Sequence, residues 1–376
     1  MPARPSPVPA WFIAFACAAL LLAACQNQGE TSSSPGESAA SSESAAASVI
    51  EPNELTVMEW SGYEAEDFWT DFKTASPDTA VDWEYGISDA DILAKMEGGS
   101  EADIVHFYTG WQQFYVDLGL VQEIDTSKLT NWDKVPESFK ERGRVNGKQY
   151  FLPWDWGFTS ILYNTDMVDG EITSWDALLD DTYAGHISMW DDGPAAVTVS
   201  AYIHGWDEEA ITTDQLAQAE QEWKDQKALN FHYWTDEYAD LCPDFEGGDI
   251  WVAYAWQGCY AQVLYNESQP VAYATPVEGR NSWVGLYGIS SKTANYDLAL
   301  EFLDMKLATL TCTNAVVNFY YGCANQEVME GITDPVLIEA FGIDDPSILE
   351  STRFTPPVTD EQRTAWTEMW GRVKAE

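Results

Sequence analysis

Asp155 stands between Trp154 and Trp156 in the stretch "FLPWDWGFTSILYNTD", residues 151–166. A core accepts tryptophan readily but not an unpaired carboxylate. Indole faces attract cations and a neighbouring carboxylate neutralises one, so this grouping suits a pocket for an organic ammonium. The bland reading of the same residues is that both indoles pack while Asp155 bonds local backbone. Aromatic and polar residues recur where strands should end. They are "WSGY" with Trp60, Ser61 and Tyr63, "YTGW" with Tyr108 and Trp111, Trp190-Asp191-Asp192, Trp256-Gln257, and Tyr287. In open α/β sheets a ligand sits beyond the carboxyl ends of the strands. A recessed aromatic cleft is therefore expected, whereas Trp69, Trp223, Trp366 and Trp370 fall on helix faces and read as core.

The elements that must position these residues alternate. "ELTVMEW", "TAVDWEY" and "ADIVHF" read as strands, separated by the helical patterns "EAEDFWTDFKTA", "DADILAKME" and "GWQQFYVDLG". "GRVNGKQYFLPWDWG" reads as a hairpin turning at Asn146-Gly147. Thr159 to Tyr163 reads as a short buried strand with the tryptophan pair at its mouth. A second series follows: "GHISMW", helices at 195–205 and 213–229, "DIWVAYAW", a helix at 257–266, "PVAYAT" and "SWVGLYGIS". Helices "ANYDLALEFLDMKLA" and "DEQRTAWTEMWGRVK" close the chain. Two such series predict an α/β protein of two lobes with a cleft between them.

The chain has 376 residues and a formal net charge of −44. That field repels nucleic acid, and a solvated acidic surface accounts for most of it. Residues 1–24 read as a signal peptide whose 14-residue apolar run, Trp11–Ala24, is short for a bilayer span. "LAAC" ending at Cys25 looks like a lipobox, which would make Cys25 the lipidated first residue of a protein in the periplasm or at the cell surface. Residues 25–52, rich in Ser, Ala and Glu, read as a flexible tether. Cys242, Cys259, Cys312 and Cys323 remain for disulfides; sequential pairing closes the shortest loops and is the expected one. The four histidines, His106, His186, His204 and His232, are scattered, so neither a metal centre nor a cofactor is expected.

The order of "EWSGYEAEDFWTDF", "ADIVHFYTGWQQFYVDLGLVQEIDTSKLTNW", "YFLPWDWGFTSILYNTD", "SMWDD", "YAWQGCYAQVLYN" and "NSWVGLYGISSKTANYDLALEFLD" resembles the polyamine-binding branch of periplasmic solute-binding proteins. The resemblance implies the two-lobed type II fold, with lobe 1 at 53–157 plus 283–326 and lobe 2 at 158–282 plus 327–376. Hinges would lie near 155–159, 281–283 and 322–327. It implies a monomer without catalysis that hands a small organic cation to an ABC permease and its ATPase. Trp60, Tyr63, Trp256 and Trp283 fall on the family's aromatic contacts and Asp192 on its lobe-two carboxylate; Tyr287 and Tyr321 complete the expected set. Two family carboxylates are missing, at Ala195 and Gly285. Asp155 is the expected replacement, with Asp191 second. Alternative readings are a quaternary ammonium in an aromatic cage, ferric iron on Tyr320-Tyr321, or a glycoside hydrolase using Asp191-Asp192. Adjacent acids on a strand point to opposite faces, which suits the last poorly.

Overall fold

Leu55, Val57 and Met58 are wholly buried in β1 (Glu54–Trp60), as a strand covered on both faces requires. In the computed structural model, which describes residues 54–343, 348, 352–355 and 358–375, this strand nucleates the first half of a mixed sheet. It pairs in parallel with β2 (Ala80–Gly86) and β3 (Ile104–Tyr108). Helix α1 (Asp89–Glu97), capped by the Ser88 hydroxyl, links β2 to β3, and α2 (Gln112–Asp117) follows β3. Cys25 and the tether lie outside the described residues.

The centre of the sheet is β4 (Phe151–Asn164), fourteen residues with every one buried. The expected short strand at 159–163 thus runs back through the whole "FLPWDWG" segment. In the second half come β5 (Ile187–Trp190), α3 (Gly193–His204), α4 (Thr213–Lys227), β6 (Asn230–Trp234), β7 (Val252–Trp256) and α5 (Gln257–Asn266). Then β8 (Asn281–Ser290) returns through the middle, followed by α6 (Tyr296–Lys306), α7 (Thr309–Phe319), β9 (Gly322–Cys323) and the closing α8 (Asp360–Ala375). The strand order is β2-β1-β3-β8-β4-β7-β5-β6. The first part of β4 pairs with β8 and its last part with β7, so β4 and β8 are shared by both halves.

One irregularity matters for the site. Pro153 stands opposite Leu286 and Trp156 opposite Val284, which leaves Trp154 and Asp155 facing Gly285 alone. Two residues against one is a β-bulge, and a bulge re-aims side chains that strict alternation would send to opposite faces. Asn146 and Gly147 both have positive φ at the tip of the expected hairpin. Strand β6 and helix α7 were not expected. The "TLTCTNAVVNF" of α7 is rich in β-branched residues with weak helix preference. It is held by packing, with Phe319 on Phe68, and by the Cys312–Cys323 disulfide to β9.

Cys242 is joined to Cys259, tying the segment before β7 to α5. Replacing Cys312 and Cys323 together by serine should lower the unfolding free energy by about 2–3 kcal/mol, the loop-closure effect for so short a span. Urea unfolding of the oxidised protein and the variant measures this.

Candidate ligand site at the crossing strands

Asp155 has no solvent exposure. Its carboxylate accepts a hydrogen bond from the Tyr63 hydroxyl at 2.9 Å, and the Tyr63 and Tyr108 hydroxyls lie 2.7 Å apart. Because the Tyr63 proton goes to the carboxylate, Tyr108 must donate to Tyr63, which leaves the Tyr108 oxygen as an open acceptor. The negative charge of Asp155 is thereby relayed through two hydroxyls toward the half-buried end of the cluster. On its other side, Asp155 lies 3.5 Å from Nε2 of His106, whose Nδ1 meets Glu59. The Tyr287 hydroxyl and the Trp60 amide also donate to Glu59.

Gly285 explains how the acid fits. A Cβ there would lie 1.7 Å from Oδ1 of Asp155 and 2.5 Å from Nε2 of His106. The Asp155 side chain fills the space a side chain at 285 would take, and the bulge puts it there.

The tryptophans on either side of Asp155 do other work than the sequence suggested. Trp154 is fully buried, and the Lys306 ammonium lies 3.8 Å from its ring centroid and 4.8 Å from that of Tyr287. It covers an internal cation. Trp156 donates its indole N–H to the Cys323 carbonyl and packs on Phe139, Phe158 and Phe341. Tyr287 is wholly buried against Glu59 and His106. Burial alone would drive the proton off His106, but the Glu59 charge and the contact with Asp155 hold it on, up to about 9. Lys306 is pulled down to about 8 by burial, against the opposing pull of Glu59 and Asp155. Burial opposes the charge of Glu59, yet His106, Lys306 and Tyr287 together keep it below the usual carboxylate range.

Four half-buried aromatic residues and the buried Tyr63 form a connected run of rings. Trp60 contacts Tyr108, Tyr108 meets Trp283 edge-on, Trp283 meets Tyr321, and Tyr321 stacks toward Tyr63, with centroids 5.2 to 5.9 Å apart. From the other half, Trp256 meets Trp190 edge-on at 5.4 Å. Ser61 is exposed in the turn beside Trp60. Gln257 is buried and spent on backbone, accepting from the Phe158 amide and donating to the Tyr320 carbonyl. Tyr320 turns away to Tyr265 while Tyr321 faces Trp283, so the two do not converge on one ion.

Three expected residues are engaged by the closing helix. Asp191 accepts from the Trp370 indole and pairs with Lys374, so it is no spare amine partner. Trp111 is buried beneath the Arg363 guanidinium, 3.4 Å from its centroid. Asp192 caps α3 through the Ala195 amide, and the Arg363 charge acts on it and on Asp89. Burial raises both acids to about 6, against the Ala195 and Tyr108 amides and Arg363. Glu59, His106, Asp89, Lys306 and Arg363 were not singled out in the sequence. The i,i+2 spacing of His106 and Tyr108 on a strand was the one available signal.

A mixed sheet with two shared central strands and an aromatic, acidic cluster at the strand ends defines a two-lobed α/β binding protein. Residues 68–314 match the model of that class, bacterial extracellular solute-binding protein, and the chain belongs to this family. It is similar to the putrescine-binding periplasmic protein SpuD of Pseudomonas aeruginosa, 23% identical over 85% of this chain and 92% of that protein. It also resembles the spermidine/putrescine-binding periplasmic protein of Escherichia coli, 27% identical over 52% of this chain and 56% of that one. Among solved structures, the TpPotD lipoprotein of Treponema pallidum superposes with a TM-score of 0.73 at 20% identity, covering 86% of this chain and all of that one. A putative spermidine/putrescine ABC transporter from Listeria monocytogenes gives 0.73 at 21% identity, covering 86% and 99%. The fold is thus the two-lobed periplasmic-binding-protein fold.

Gly285→Ala should cost about 1–3 kcal/mol, because the new methyl must displace Asp155 or His106; thermal unfolding of the variant reads this. His106 gives a pH signature. Its folded value, about 9, exceeds the ordinary ~6.5, so its contribution is complete below about 6.5 and fades as pH rises toward 9. Between about 6.5 and 8, before Lys306 sheds its own proton, the Tm of the wild type should fall more steeply than that of His106→Gln. Parallel curves would show His106 to be neutral.

Proposed function

We propose that this protein is the lipid-anchored receptor subunit of an ABC importer and that its solute is a polyamine of the putrescine or spermidine class. Family membership makes it a solute-binding protein, and the relatives named for putrescine and spermidine suggest the solute. The observation that carries the reading is Asp155. Where the polyamine-binding pattern has a carboxylate at 285, this chain has glycine, and the bulged Asp155 fills that space from the neighbouring strand. The acid function is moved, with Tyr63 and Tyr108 passing its charge toward Trp60, Trp283 and Tyr321. Asp192 supplies charge from the other half.

The lobes at 53–157 plus 283–326 and 158–282 plus 327–376 close on the solute by bending where β4 and β8 cross between them. Closure removes water, which strengthens cation–π and ammonium–carboxylate contacts, and no bond is made or broken. The acyl chains on Cys25 hold the receptor at the membrane beside a permease and its ATPase, and the tether at 25–52 gives it reach.

Calorimetric titration of the full chain in detergent, stripped of carried solute, tests this with putrescine, spermidine and glycine betaine. One-to-one binding of a polyamine is expected, weakened about tenfold or more in Asp155→Asn. Response to betaine alone would replace the polyamine by a quaternary ammonium in an aromatic cage. Silence to all three would remove the organic cation.

A further inference from the structure

Glu237 is a buried carboxylate that the site described so far does not use. It is 1% exposed and lies just before the Cys242–Cys259 disulfide, which fastens its segment to α5. Its Oε1 accepts from the Trp256 amide at the start of that helix. Its Oε2 is buried without a hydrogen-bond partner. The Trp256 and Cys259 amides at the start of α5 both act on this carboxyl, and Oε2 still makes no hydrogen bond of its own, a buried position that a further partner would satisfy.

The surroundings of Oε2 point to what the donor is. A Cβ built on Gly258 would lie 3.2 Å from Oε2 and 2.0 Å from the Tyr238 hydroxyl, so both groups converge over that glycine. The hydroxyl of Tyr321 feels the charges of both Asp155 and Glu237, and that of Tyr238 feels Tyr321 and Glu237. Tyr321 is thus within electrostatic reach of both acids, and its ring lies against those of Trp283 and Tyr63. Among the described residues, the titratable groups that act together with Glu237 are Asp236, Tyr238, Tyr273 and Tyr321.

We propose that Glu237 is the second ammonium-binding carboxylate of the site, taking the end of a diamine remote from Asp155, with Tyr238 and Tyr321 completing that seat. This deepens the polyamine reading and rests on it. It also accounts for the second missing family acid, at Ala195: this chain moves that charge to the start of α5, as it moves the other to Asp155. Burial lifts Glu237 to about 8 against the Trp256 and Cys259 amides, and Asp236 adds to the rise. At neutral pH the free protein holds this carboxyl protonated. When an ammonium arrives, the carboxyl gives its proton to solvent and the carboxylate accepts hydrogen bonds from the cation; the ammonium keeps its own charge.

Calorimetry of the full chain in detergent with 1,4-diaminobutane and 1-aminobutane, at pH 7 in two buffers of different ionisation enthalpy, tests the assignment. Wild type should release a proton on binding the diamine. In Glu237→Gln that release should vanish and diamine affinity fall about tenfold or more, with monoamine affinity held within about twofold. Retained monoamine binding also reports that the variant is folded. Unchanged diamine affinity, proton release persisting in the variant, or equal loss of both amines would overturn the proposal. Absence of diamine binding by the wild type itself would instead overturn the polyamine reading on which it rests.

Discussion

Charge that is taken out of water must be answered within a few ångströms, and this requirement organises the middle of the molecule. Glu59 and Asp155 are wholly buried acids; His106 and Lys306 are the buried bases among them. His106 bridges the two acids, and Lys306 lies over Trp154 and Tyr287 with both acids acting on it. With the imidazole protonated the four groups sum to zero. Each comes from a different element: β1, β3, β4 and α6. The cluster therefore fixes how the first half of the sheet docks against the shared strand β4, and it holds the Tyr63 and Tyr108 hydroxyls in place at its edge.

The bulge at Gly285 follows from the same requirement. A regular ladder would place Trp154 and Asp155 on opposite faces, sending one of them away from His106 and Lys306. With one extra residue, the indole covers the ammonium and the carboxylate reaches the imidazole from the same side. Glycine opposite is the condition for this, since no side chain fits there. Gly157 serves a related end two residues on. A Cβ there would meet the Trp283 ring at 2.4 Å, so the Trp283 indole lies directly on the backbone of β4.

Much of the fold was legible because strand and helix periods alternate clearly, from "ELTVMEW" through the closing helix. What escaped was set by tertiary contact. Helix α7 runs against the preference of its threonines and valines and is held by Phe68 and a disulfide. From the strand ends the fold gathers Trp60, Tyr63, Tyr108 and Trp283 into one run of rings with Tyr321, and sets Trp256 beside Trp190 in the other half. Trp154, Trp111 and Tyr287 are instead covered by Lys306, Arg363 and Glu59, which arrive from distant parts of the chain that no spacing rule reveals. The surroundings of Asp155 were also hidden from the sequence. The sequence offered two flanking indoles, but the groups that hold it are Tyr63 and His106, far away in the chain.

The formal charge of −44 says little about where a cation would settle, because local sums differ across the cleft. Around Asp155 the acids are matched by internal bases, and the cluster reaches outward through the Tyr63 and Tyr108 hydroxyls and the aromatic rings beside them. Arg363 acts on both Asp89 and Asp192, with His106 also acting on Asp89, yet burial lifts both acids to about 6. Around Glu237 the leading influences are burial, the Trp256 and Cys259 amides and the neighbouring Asp236. Asp192 and Glu237 both belong to the β5–β7 half, and burial lifts both toward the neutral form, so a cation beside them favours their ionised form. A diamine bound as proposed would meet two regimes: one end on the Tyr108 oxygen and aromatic faces beside the Asp155 cluster, the other against acids that its charge would ionise.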